Sequence, residues 1–117
     1  MNYKIIKKRK KYIDLGKKCN FQHTEIFVIG CYCELDSYEQ GINIGFTVSK
    51  KNGNAVKRNK IKRILKHAVN EVLKEVRRDS SKVINIIIIA KPKILSVNYI
   101  DLLKELRKYI LNSEYIC

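Results

Sequence analysis

Between Gln40 and Asn70 the chain carries eight lysines and arginines and not one acid. Arg58, Asn59, Lys60, Lys62, Arg63 and Lys66 stand close together in that stretch, just after Lys50, Lys51 and Asn54. The chemistry such a set can do is phosphate recognition. Arginine offers a planar fork that matches two phosphate oxygens, lysine a flexible point charge, and asparagine a neutral donor and acceptor that reaches a sugar or base edge. Bond breaking by the protein itself is not expected. Two-metal hydrolysis needs several converging carboxylates, yet the acids elsewhere are scattered singly except for Glu34, Asp36 and Glu39 in one polar loop. Neither His23 nor His67 has a neighbour that suggests a nucleophile and its base. His67, on the polar side of its segment, suits the surface or a contact with RNA. No catalytic residue and no metal-ligand set are therefore assigned to the chain.

The whole composition points the same way. Against 25 Lys and Arg stand 11 Asp and Glu, a formal charge of +14, far beyond what solubility alone asks. Six of the first twelve residues are basic as well. A polyanionic partner is expected, RNA before DNA or an anionic membrane. The longest purely apolar run, Ile86 to Ala90, is five residues, where a span needs about 20. Ile5 and Ile6 run straight into "KKRKK", too short for the apolar part of a secretory signal. The expected location is the cytosol, and the four cysteines Cys19, Cys31, Cys33 and Cys117 are read as reduced thiols.

The elements that must position the cations are legible from periodicity. At 117 residues with no linker or repeat, residues 1–117 read as one domain. Tyr12, Leu15 and Cys19 predict a short basic helix over 8–18, interrupted in character by Gly16. Phe27, Ile29, Cys31 and Cys33 alternate as a strand over 26–35, and Ile42, Ile44, Phe46 and Val48 as a second. The second strand's other face, Asn43, Gly45, Thr47 and Ser49, is small and open to a ligand. Asn54 is placed to cap a long helix from about 55 to 77, whose stripe is Ile61, Ile64, Leu65, Ala68, Val69, Val72, Leu73 and Val76. "VINIIIIA" predicts a strand covered on both faces, and Asn98 caps a last helix through Leu102, Leu103, Leu106 and Ile110. A further short strand fits within 17–25, making about four strands and three helices in an α+β sandwich. Arg58, Lys62 and Lys66 form an i, i+4, i+8 row on the long helix. Like charges so spaced cost a few tenths of a kcal/mol per pair, so the compensating charge should come from outside the chain.

"SKKNGNAVKRNKIKRILKHA" closely resembles the signature of the bacterial ribonuclease P protein subunit, in which a strand ending in SKK runs through GNAV into an RN-x-x-KR helix. The resemblance implies a two-layer α/β sandwich with a left-handed βαβ crossover, against the usual right hand. It implies binding to a large catalytic RNA, magnesium held by that RNA, and removal of the 5′ leader from precursor tRNA. On this reading Lys50, Lys51, Asn54, Arg58, Asn59, Lys60, Lys62, Arg63 and Lys66 contact RNA, while Tyr12, Val28 and Thr47 line a cleft for the single-stranded leader. Tyr12 either stacks a leader base there or packs as a core residue with its hydroxyl at the rim. The chain departs from the family pattern at Gly16, often a second aromatic, and at Lys60 and Lys66, where arginines are usual. The alternative is a ribosomal or other structural RNA-binding domain. A DNA-binding regulator fits less well, because a strand and turn precede the basic helix where a short partner helix would be required.

Overall fold

The computed structural model describes residues 4–6, 9–34, 41–75 and 83–111. In chain order the elements are β1 (Lys4–Ile5), α1 (Arg9–Lys18), β2 (Asn20–His23), β3 (Phe27–Glu34), β4 (Gly41–Thr47), a 3₁₀ turn (Lys50–Asn52), α2 (Ala55–Leu73), β5 (Val83–Ala90), a second 3₁₀ turn (Pro92–Ser96) and α3 (Tyr99–Ile110). The strands form one mixed sheet in the order β1-β4-β5-β3-β2. β4 and β5 are adjacent and parallel and are joined through α2, giving a βαβ unit, while β3 lies antiparallel on the other side of β5. The sheet thus has five strands where about four were expected. β2 is the short strand anticipated within 17–25, and β1 is a two-residue edge too brief to show a period.

Alternation sorts the strands into two faces. Ile29, Ile42, Ile44, Ile84, Ile86 and Ile88 point to one side, where they meet Ile61, Leu65, Ala68, Val69 and Val72 of α2 and Leu102, Leu103, Leu106 and Ile110 of α3 in one core. Burying a side chain of this kind stabilises by about 1.5–3 kcal/mol before entropy is counted, so this layer holds the molecule together. β5, flanked on both sides, is buried through all of its residues except Ile89, as its unbroken apolar run requires.

The second face carries α1. Phe21, Gly30, Ile87 and Gly45 lie opposite one another across β2, β3, β5 and β4. The two glycines leave Ile87 standing between shallow places. The Tyr12 ring lies over Gly45, so close that a Cβ there would stand 2.4 Å from its Cε2, and the Phe21 ring likewise covers Gly30, at 2.5 Å. α1 runs unbroken through Gly16, whose missing Cβ would lie 3.9 Å from Ile87 Cδ1, an ordinary contact.

Both long helices begin as their sequences suggest. Asn54 Oδ1 accepts from the Lys57 backbone N–H at 3.0 Å, and Asn98 Oδ1 from that of Asp101 at 2.9 Å. α2 closes at Leu73; Val76 and Arg77, assigned to it from the sequence, lie outside the described residues, as do Lys8, Leu35, Asp36, Glu39 and Cys117. Burial pushes the Cys19 thiol up to about 11 and, chiefly by the same cause, that of Cys31 to about 12. The reading of all the cysteines as reduced thiols is corrected at Cys33, which is disulfide-bonded; residue type and compartment carry no information about which side chains the fold brings into reach.

Candidate nucleic-acid interface

The basic surface begins where β4 ends. Ser49 leads into the 3₁₀ turn, which exposes Lys50 and Lys51 and buries Asn52 beneath them. Asn52 Nδ2 donates to the carbonyls of Ser49 at 3.2 Å and of Ala90 at 3.4 Å. This buried amide ties the turn to the end of β5, so the two lysines project from a fixed base rather than from a loose loop. Asn54, exposed on the same surface, spends its Oδ1 on the helix cap; its amide N–H groups are what it can offer a ligand.

α2 carries the rest. Asn59, Lys60, Lys62, Arg63 and Lys66 are exposed, and Arg58 is half-buried with its Nε–H enclosed and without a hydrogen-bond partner among the described residues. At 3.6 residues per turn the set divides. Arg58, Lys62 and Lys66 run down one flank, Asn59 and Arg63 occupy the crest, and Lys60 lies on the far flank, toward α3. Among the described residues no ion pair involves any of the cations from Lys50 to Lys66; the pairs found are Lys93 with Glu25 and Arg107 with Glu75, and His67 Nε2 stands 3.2 Å from Glu71. Among the described residues this surface is uncompensated.

On the sheet's second face, Tyr12 and Thr47 meet through a hydrogen bond between their hydroxyls. Burial holds the Tyr12 phenol above its ordinary range despite that bond, so the hydroxyl stays neutral. Thr47 and Val28 each pair with Ile89 from opposite sides, and Val28 pairs with His23. Thr47 and Val28 therefore stand two strands apart, about 10 Å at the usual strand spacing. They share one row, with half-buried Ile89 between them and exposed His23 at its end. Sequence reasoning missed Ile89 and His23, because a cross-strand row exists only once the register is known. The row ends close to Lys50, three residues beyond Thr47.

A strand ending in a lysine turn, an Asn-capped basic helix and an aromatic laid over the sheet are arranged together. The whole chain can be compared on that basis. The family model described as Ribonuclease P matches residues 2–114. The chain belongs to the ribonuclease P protein family. A ribonuclease P protein component from Bacillus cereus is 36% identical over 102 residues, covering 86% of this chain and 83% of that one. The solved ribonuclease P protein of Staphylococcus aureus superposes with a TM-score of 0.73 at 26% identity, covering 97% of each chain. That of Thermotoga maritima gives 0.68 at 20% identity, over 86% of this chain and 91% of that one, a likeness of fold.

Within this ribonuclease P fold the three departures from the family pattern can be located. Gly16 leaves α1 intact but presents no side chain to Ile87. Lys66 extends the row begun by Arg58 and Lys62. Lys60, on the other flank, borders an open groove of about 400 Å³ shared with Arg63, Ile64, His67 and Tyr99. Tyr99 was not singled out from the sequence, since as the first residue of α3 it precedes that helix's apolar stripe.

Proposed function

We propose that the chain is the protein subunit of a ribonuclease P holoenzyme, binding the catalytic RNA and the 5′ leader of precursor tRNA so that the leader is removed to give the mature 5′ end. The observation that carries this is the cationic surface from Lys50 to Lys66, without an ion pair among the described residues, fixed by Asn52 and Asn54 and beginning three residues after Thr47, which bonds Tyr12. Lys50, Lys51, Asn54, Arg58, Asn59, Lys60, Lys62, Arg63 and Lys66 meet phosphates and sugars. Tyr12, Val28 and Thr47 take the leader. Stacking on an aromatic face is worth about 1–3 kcal/mol per base and accepts any sequence, which suits a pool of varied leaders.

In this reading the protein positions and the RNA cleaves. Magnesium is held by the RNA. No described helix is long and apolar enough to cross a membrane, and the cytosol, where precursor tRNA is made, is the proposed location. The test is cleavage of a precursor tRNA at low magnesium by a bacterial ribonuclease P RNA, with and without the protein, alongside the protein alone. Protein-dependent cleavage at the mature 5′ end, with none from the protein alone, supports the proposal. RNA binding without stimulation of a compatible RNA refutes it and assigns a structural RNA-binding role. Arg58→Ala should impair assembly more than Lys104→Ala at an exposed position of α3; equal effects would remove α2 from the interface.

A further inference from the structure

We infer that the groove between α2 and the first turn of α3 is a second RNA subsite, which takes one unpaired nucleobase from the RNA subunit. It is distinct from the Tyr12 face, which lies on the other side of the sheet, and the inference rests on the function proposed above. The groove holds about 400 Å³ and is lined by Lys60, Arg63, Ile64, His67 and Tyr99. Small-ligand sites run from roughly 300 to 1,000 Å³, so a base with its sugar fits.

The lining matches that occupant in each of its parts. Ile64 supplies an apolar floor. The rings of His67 and Tyr99 stand 5.7 Å apart between centroids, tilted by 37°, and both line the groove. His67 Nε2 lies 3.2 Å from a Glu71 carboxylate oxygen, one turn further along α2. Lys60 and Arg63 are exposed at the rim, where the phosphates flanking an inserted base would come. An apolar and aromatic floor with cations at the rim is the arrangement single-stranded nucleic acid uses. Arg63 also stands on the crest of α2, between this groove and the row of Arg58, Lys62 and Lys66. One RNA strand lying along that row can therefore turn a single base over the crest. Val56, 77% exposed and one turn before Lys60, extends the apolar surface in line with the groove.

The experiment uses the holoenzyme assembled from the full chain and a bacterial ribonuclease P RNA. A photoreactive residue is placed by Tyr99→p-benzoylphenylalanine, with Lys104→p-benzoylphenylalanine as the remote comparison. The expected result is a crosslink from position 99 to an unpaired nucleotide of the RNA subunit, with none from position 104. Affinity is then measured against salt. His67→Ala and Tyr99→Leu should weaken RNA binding by about 5- to 150-fold, the range of one lost stack, with the salt slope unchanged. Lys60→Ala should instead lower the slope by about one contact. Tyr99→Phe, which keeps the ring, should bind within about twofold of the parent, separating lost stacking from a damaged fold. A crosslink only to paired nucleotides, or none, from a holoenzyme that still cleaves overturns the subsite and leaves the subunit role standing. A crosslink from position 99 to a second copy of the protein also overturns it. Failure of the unmodified protein to bind the RNA overturns both.

Discussion

Tyr12 has two partners on the sheet, the missing side chain of Gly45 beneath its ring and the Thr47 hydroxyl beyond its own, and they can be removed one at a time. Gly45→Ala places a methyl 2.4 Å from Cε2, so the ring must swing away. The expected cost is about 1–3 kcal/mol, as for an overpacked core position, seen as a lower melting temperature. In a Tyr12→Ala background the same change should cost little, because the ring atoms that stand under 3 Å from the new methyl are gone. Additive effects would show that the ring does not rest on Gly45. A second residue-scale prediction concerns the thiols. The folded protein keeps Cys19 protonated to about 11 and Cys31 to about 12, against an ordinary 9.0. A raised pKa in an acid that is neutral when protonated means the unfolded chain ionises first. Stability should therefore be level below pH 9 and fall as pH climbs from 9 toward 11 and 12. Alkylation of both thiols at pH 8 should also be slow until the chain unfolds. Fast labelling of the native protein would contradict the burial.

At the scale of elements, α1 is where a local rule and the fold pull apart. Gly16 sits inside a helix, where glycine costs about 1 kcal/mol relative to alanine, yet the space above Ile87 leaves room for a methyl at 3.9 Å. Gly16→Ala should accordingly raise stability by about 0.5–1 kcal/mol in chemical denaturation, with α1 unchanged. A loss instead would mean that α1 and the sheet are closer than contact distance allows. The helices and the three long strands were legible because apolar spacing, the Asn54 and Asn98 caps and the run "VINIIIIA" all carry their own signal. β1 was not, since two residues cannot display a period. Nor was the row of Thr47, Ile89, Val28 and His23, for pairing register is decided between strands and not along one of them. The nine cations and asparagines were read as one RNA-contacting set, with Arg58, Lys62 and Lys66 as a row within it. Helical geometry alone could have divided Lys60 from Arg58, but only the place of α3 shows that Lys60 borders a groove with Tyr99.

For the whole molecule the decisive quantity is charge that the fold leaves unanswered. With +14 overall and no ion pair to the cations of α2 among the described residues, affinity for RNA should fall steeply with salt. If six cations each neutralise a phosphate, the log-log slope is about −4 to −5, and each cation removed should reduce its magnitude by somewhat less than one. A shallow slope in a filter-binding titration would mean that these side chains face water in the complex. The family resemblance named the motif and its partner; the uncompensated surface explains physically why that partner must be an anion. The same surface bears on how long the protein lasts before it finds its RNA. Self-repulsion along α2 lowers the stability of the free chain, whereas a ligand bound only by the folded form adds about 2.7 kcal/mol at a hundred times its Kd. On the proposed function, copies made in excess of the RNA are then the ones that open and meet proteases first, so turnover by itself would hold protein and RNA near equal number.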